Sequence, residues 1–358
     1  MVKVGLIGAG GISGAHLPAY RDHSGTVELA AVCDADEERA QDVADEFDTP
    51  YWTEFESFVV EAEIEAVDIT LPHSLHYPAA KAALDAGKHV LVEKPFGTDL
   101  GECVDLVETA EANGLTLMVG QMQRFHPEYR ALKKRLDAGE LGAIRHARCD
   151  VLANQADMFP DDHWLYDGAV AGGGAVIGYA VHKLDLLRYF LGDVERAASW
   201  QQTVDERFED AEDYATGMLA FENGANADFF ATVSAPAMPY TEGFELYGDE
   251  GAVHTLPEGE QDEGYVGTPT PRINTADDPE RRKRFEPVEA DTDLPTENAF
   301  VNEILHFAEC VETGAEPLSS GRDNLGTMAA MRAVYRSAES GGDPVSTEDV
   351  LDDAGAER

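Results

Sequence analysis

"VKVGLIGAGGISGAHLPAYRD", residues 2–22, decides the fold. Val2–Ile7 reads as a buried strand, followed by a glycine turn and a helix that begins near Ile12. The turn, Gly8-Ala9-Gly10-Gly11-Ile12-Ser13, is a GxGxxG pattern in which Ser13 stands at the last glycine and Gly14 follows. Gly8 permits the tight turn, and Gly10 lets a pyrophosphate approach the backbone. Small Ser13 still allows the helix to pack closely on the strand. With Gly11 and Ile12 the chain enters a helix N-terminus, whose unsatisfied N–H groups hold negative charge. Alone, this motif is weak, because glycine-rich strand–helix turns also occur without a cofactor.

Its context strengthens it. A second strand, "VELAAVCD" (27–34), ends in Asp34, where a carboxylate accepts both ribose hydroxyls of a dinucleotide and repels a 2′-phosphate. No basic residue appears before Arg39, so NAD is expected over NADP, with NADP not excluded. The competing reading makes Asp34 one more surface acid. The alternation continues through "DEERAQDVADEF", "AVDITLP", "HYPAAKAALDAG", "KHVLVEKP", "DLGECVDLVETAEANG" and "LTLMVGQ". Repeated βα units of this length imply a doubly wound parallel sheet ending near Met122. Ligand then lies beyond the carboxyl ends of the strands. Leu71, Pro72, His73 and His76 of "TLPHSLH", Glu93 and Lys94 of "EKP", and Gln121 fall there as candidate cofactor contacts.

At 358 residues the chain is long enough for two domains, and 43% hydrophobic residues argue against extensive disorder. Seventy Asp and Glu against 26 Lys and Arg give a formal charge of −44, which excludes nucleic acid and anionic membranes as partners. The acid is spread in runs such as "DADEERAQDVADEFD" (34–48) and "DERFEDAED" (205–213). Solubility is one reading of such a surface; a halophilic organism, whose salt screens the self-repulsion, is the expected one. The four cysteines include no CxxC pair, which argues against a disulfide framework and a zinc site, and no metal is expected. The chain opens without a charged leader and holds no apolar run of about 18 residues. A soluble, cytoplasmic protein is expected.

Lys94, one of eight lysines, sits at the carboxyl end of a buried strand between Glu93 and Pro95. Near an oxidised, positive nicotinamide an ammonium is disfavoured, which suits a lysine there to proton transfer. With "AGGIS", "AAKAALDAGKHVLVEKPFG" (79–97), "GQMQRFHPEYRALK" (120–133) and "GGG…VHKLDLLRYFLGDV", the chain resembles the Gfo/Idh/MocA family of sugar and polyol oxidoreductases over residues 1 to about 338. The resemblance implies a Rossmann domain, then an α/β domain with a large, open, mostly antiparallel sheet that commonly forms homodimers or homotetramers. It also implies Lys94 as a catalytic residue and a Lys94–Pro95 peptide that is often cis.

In "GGGAVIGYAVHKLD" (172–185) the family pattern places its glycines at Gly172–Gly174, its histidine at His182 and its second acid at Asp185. The first acid position is Gly178, and the usual glycine is Ala180. His182 is thereby a catalytic or substrate-binding candidate, Asp185 is structural or orienting, and Lys183 faces away. On a helix 178 and 182 lie one turn apart. Tyr179 is the neighbouring hydroxyl, about 100° around that helix. Arg124 either grips substrate or forms an interdomain ion pair, and His126 enters beside it. Trp164 either stacks on a sugar or belongs to the core.

"HARCDVL", "TGMLAFENGANADFFATVS" and "FELYGDEGAVHTL" read as strands of the open sheet, and "ENAFVNEILHFAECVETG" as an amphipathic helix. The cluster "RRKR" (281–284) is expected in internal salt bridges, and "TEDVLDDAGAER" as a loose acidic tail. The expected domains are 1–122 (dinucleotide-binding), 123–340 (substrate-binding and oligomerising) and 341–358 (acidic segment). The function implied is hydride transfer between NAD(P) and a hydroxyl or carbonyl of a sugar or cyclic polyol. A redox-neutral NAD-dependent glycosidase and a non-enzymatic sensor are the alternatives.

Overall fold

The structure, a computed structural model, describes residues 1–236, 240–255, 270–275, 285–291 and 293–356. Two compact units emerge. The first comprises Met1–Phe125 and Leu294–Leu325, and the second His126–Asp293 and Gly326–Arg358.

The first unit is built on strands β1 (Val2–Ile7), β2 (Val27–Cys33), β3 (Tyr51–Trp52), β4 (Ala66–Ile69), β5 (His89–Glu93) and β6 (Leu117–Gly120). They form one parallel sheet in the order β3-β2-β1-β4-β5-β6. β4 and β6 are buried at every residue and β1 at all but one, because helices cover both faces of such a sheet. Those helices are α1 (Ser13–Asp22), α2 (Glu37–Phe47), α3 (Phe55–Glu61), α4 (His76–Asp85) and α5 (Leu100–Asn113). The strand order reverses between β1 and β4, the switch point where open α/β sheets bind ligand.

The second unit carries α6 (Pro127–Asp137), β7 (Ile144–Leu152), α7 (Gln155–Met158), α8 (Gly168–Ala171), α9 (Val181–Leu191), β8 (Val194–Gln202), β9 (Tyr214–Phe221), β10 (Asn226–Thr232), β11 (Thr241–Gly248), β12 (Gly251–His254), β13 (Arg272–Thr275) and β14 (Glu286–Pro287). Further along the chain come α10 (Ala299–Thr313), α11 (Gly321–Glu339), β15 (Val345–Ser346) and α12 (Thr347–Asp353). The nine-stranded sheet runs β14-β13-β12-β11-β7-β10-β9-β8-β15, antiparallel except for the parallel β7–β10 pair. The expected fold class is therefore observed. The amphipathic α10 begins at its Asn298 cap and buries Ile304, Phe307 and Ala308 in the core of the first unit, beside β1 and α1.

Two local expectations are corrected. The acidic end is not a loose tail. β15 pairs with β8, and α12 is capped by Ser346 and buries Val350. The segment before α9 is not regular α-helix, because Val176–Ala180 forms a π-helical turn. The cluster 281–284 lies outside the described residues. All four cysteines are free and buried. Among the described residues no helix is long and apolar enough to cross a membrane, and no cluster of His, Cys, Asp and Glu is arranged to hold a metal.

Candidate functional site

The glycine turn joins β1 to α1 at the switch point. Gly8 has φ +101°, and a Cβ there would lie 2.6 Å from the Thr70 carbonyl at the end of β4. This position therefore requires glycine twice over, for conformation and for space. Gly10 and Gly11 differ, since a Cβ on either would meet nothing within 4 Å. Their bareness does not serve packing; it leaves backbone open to a ligand. Ser13 is buried and closes the turn through a hydroxyl bond to the Gly10 carbonyl at 2.6 Å. α1 has no side-chain cap and no acidic residue in its first turn, so its N-terminal N–H groups suit an anion.

Asp34 follows β2 as expected. Its carboxylate accepts the Ala9 N–H at 2.6 Å and the Asp36 N–H at 2.8 Å, which ties it to the glycine turn. On the other side of the switch point, Leu71 and Pro72 follow β4. His76 is fully buried with Nε2 2.8 Å from the Leu71 carbonyl and Nδ1 2.7 Å from the Pro95 carbonyl. It stitches together the loops that end β4 and β5, and His73 packs beside it at 5.7 Å between ring centroids. The Lys94–Pro95 peptide is cis. Glu93 turns inward and accepts the Lys94 backbone N–H at 2.9 Å. Gln121 is buried and donates to Asn324 at 3.1 Å, while its Oε1 has no hydrogen-bond partner among the described residues.

These residues fit a dinucleotide. Gly10, Gly11 and the α1 N-terminus would hold the pyrophosphate, and Asp34 the ribose. Lys94 stands two strands from the glycine turn, about 10 Å across the sheet, on the side opposite Asp34. The nicotinamide half would fall there, supplying a hydride acceptor or donor when bound.

In the second unit one carboxylate pins the turn that carries the three glycines. Glu212 accepts the Gly174 N–H at 3.0 Å, the Val176 N–H at 2.8 Å and the Tyr335 hydroxyl at 3.1 Å. A Cβ on Gly174 would lie 1.8 Å from the Glu212 carbonyl, and one on Gly173 2.2 Å from the Tyr335 hydroxyl. The glycines are thus structural, and what they set up is the π turn leading into α9. That wider turn loosens the expected one-turn register between 178 and 182. Gly178 is buried, yet a Cβ there would meet nothing within 4 Å, so the missing acid leaves space rather than a filled substitute.

Tyr179 does not supply a spare hydroxyl, because it donates to Gln155 at 2.9 Å. His182 is half-buried on α9, and Asp185 accepts the Thr327 hydroxyl at 2.8 Å, an orienting contact. Arg124 is buried and ion-paired, with Nη2 2.7 Å from Asp323 and Nη1 2.8 Å from the Leu318 carbonyl, all within the first unit. Trp164 is half-buried, with its ring 5.5 Å from that of His163 between centroids. Lys183 is fully buried, 3.4 Å from Glu242 and over the Tyr129 ring. Its burial had no local sign, since Glu242 lies far along the chain. Sequence reasoning also missed His16, Asp68 and Tyr20, buried under β5. The one signal was an acid, Asp68, inside the apolar run "AVDITLP".

Residues 2–121 match the model of an oxidoreductase family with an NAD-binding Rossmann fold, and residues 129–254 match the GFO/IDH/MocA C-terminal domain. A D-xylose 1-dehydrogenase (NADP(+)) of Haloferax volcanii is 30% identical over 94% of this chain and 97% of its own length. An inositol 2-dehydrogenase of Saccharopolyspora erythraea is 29% identical over 95% of this chain and 94% of its own. The fold matches a levoglucosan dehydrogenase in complex with NADH and levoglucosan, with TM-score 0.86 and 24% identity over 97% of this chain and 99% of that one. The chain belongs to the GFO/IDH/MocA family of NAD-binding oxidoreductases.

Proposed function

We propose that this protein is a dehydrogenase that moves a hydride between a nicotinamide dinucleotide and a sugar or cyclic polyol, with Lys94 as its proton-transfer residue. The observation that carries this reading is the place of Lys94, at the end of β5 and two strands from an open glycine turn. The amine of Lys94 takes the hydroxyl proton, and a bound oxidised dinucleotide would supply the acceptor for the carbon-bound hydride. The product is a ketone or lactone; in reduction the ammonium returns the proton. NAD is the expected cofactor, because a carboxylate at Asp34 repels a 2′-phosphate. The names of the Haloferax and Saccharopolyspora relatives support the substrate class.

The protein works as a homo-oligomer through the open face of the large sheet. Strand register puts Trp200, Met218, Phe230 and Tyr247 on that one face, and all four are exposed. The acidic surface belongs to a halophile's cytoplasm.

The test is absorbance of reduced nicotinamide in molar KCl, with NAD or NADP and D-xylose, D-glucose or myo-inositol. Turnover is expected with at least one of them, with kcat/KM higher for NAD. Lys94→Ala is expected to lower kcat by about 10²–10⁴-fold. Unchanged turnover in that variant would overturn the role of Lys94.

A further inference from the structure

Beneath the end of β5 the first unit buries a polar chain that hydride transfer does not itself use. The His16 imidazole is 0% exposed and lies between two carboxylates. Its Nδ1 is 2.9 Å from Asp68 Oδ2, and its Nε2 is 3.2 Å from Glu93 Oε1. Tyr20 donates its hydroxyl to the same Asp68 oxygen at 2.7 Å. Glu93 Oε2 accepts the Lys94 backbone N–H at 2.9 Å. His16 and Tyr20 stand four residues apart, on one face of α1. Asp68 comes from β4 and Glu93 from β5. Gly120 pairs with Glu93 across β6, and a Cβ there would lie 3.1 Å from Glu93 Oε1, so its absence makes room for the inward carboxylate. The Phe300 ring of α10, 5.5 Å from the imidazole, covers the chain.

With both carboxylates ionised, only one protonation state of the ring satisfies this geometry fully. Two carboxylates need two donors, and only the imidazolium has them; a neutral ring would present a lone pair to one carboxylate. Burial alone pushes His16 down, but Asp68 and then Glu93 outweigh it and carry it well above its ordinary value. The charged and titratable groups facing His16 are Asp68, Tyr20 and Glu93. Around Lys94, Glu93 lies on one side, and His76 holds the loop through the Pro95 carbonyl.

We propose that His16 is a positioning residue for Lys94: its imidazolium, clamped between Asp68 and Glu93, fixes the carboxylate that holds the Lys94 backbone and offsets that carboxylate's charge one residue along the chain from Lys94. The inference rests on the reading of Lys94 as the proton-transfer residue. Without the imidazolium, the Glu93 charge acts uncompensated and retains the proton on the amine to higher pH.

The test is the pH profile of kcat for the holoenzyme at saturating NAD, with whichever sugar of the panel turns over. His16→Gln is expected to lower kcat about tenfold and to move the acid limb up by about one pH unit. NADH affinity, read by fluorescence, is expected to stay within about twofold. The double variant His16→Gln/Glu93→Gln removes one charge of each sign and is expected to bring the limb back. Should His16→Gln fail to fold, Asp68→Asn is read on the same profile, with the same direction expected. A limb that stays in place overturns the proposal even if thermal stability falls, since a purely structural role predicts that result. An effect confined to KM or NADH affinity also overturns it. Turnover that persists in Lys94→Ala overturns the Lys94 reading and this inference with it. Loss of turnover in Lys94→Ala with an unmoved limb in His16→Gln overturns this inference alone.

Discussion

Gly8 and Gly10 are two residues apart and answer to different demands, so the same substitution separates folding from cofactor binding. Gly8→Ala puts a methyl 2.6 Å from the Thr70 carbonyl at φ +101°. It is expected to cost about 1–3 kcal/mol of stability, read as a fall in Tm, and to weaken NADH binding as the turn shifts. Gly10→Ala meets nothing within 4 Å and is expected to leave Tm unchanged while NADH affinity falls about tenfold or more. An equal loss of Tm in both variants would show that Gly10 is a packing residue. His126 offers a test of pH. Burial, opposed by Glu242 and assisted by Lys183, pushes its imidazole down to about 4. The unfolded chain therefore binds the proton first, and stability that is full above about pH 6.5 is lost as the pH falls toward 4. The part due to this half-buried ring is of order 1–2 kcal/mol, and His126→Gln is expected to flatten the fall of Tm between those limits.

At the scale of the element, the hydrogen bonds around Glu212 make the triple glycine a fixed backbone turn rather than a reacting group. Glu212→Ala strands the N–H groups of Gly174 and Val176 and the Tyr335 hydroxyl, and is expected to cost about 3 kcal/mol or more, read by thermal denaturation. Glu212→Gln keeps an acceptor and is expected to retain most of that stability. This site also shows where sequence reading stops. β1, the glycine turn and α1 were legible because strand periodicity, turn chemistry and helix entry agree within 21 residues. The π turn was not, because the reading assumed 3.6 residues per turn where a distant carboxylate sets the backbone. α12 was missed because its acidic composition hides a helix that depends on one cap, Ser346, and one well-buried apolar side chain, Val350. Lys94 was legible from its place at a strand end, whereas the His16 chain beneath it required three segments to be brought together.

For the whole molecule the charge of −44 is the governing quantity. Basic residues are spent in local pairs such as Lys81–Asp85, Lys133–Asp137 and Arg322–Glu111, and 26 of them cannot neutralise 70 acids. The excess repels itself over a Debye length, about 30 Å at 0.01 M salt but about 3 Å at 1 M. Low salt therefore lets charges interact across a whole unit, and high salt confines them to neighbours. Tm is expected to rise by about 10 °C or more between 0.1 M and 2 M KCl, and far-UV circular dichroism to decay on dilution of salt. The same repulsion acts between copies. The exposed face that carries Trp200, Met218, Phe230 and Tyr247 should associate in molar KCl and separate as salt is removed. Light scattering across the dilution series tests this together with the circular dichroism. If the copies separate before the helical signal falls, the sheet face is the weaker of the two structures and the oligomer is what salt protects first. If mass and helicity are both unchanged down to 0.1 M KCl, the acidic surface serves solubility alone and the halophilic reading fails.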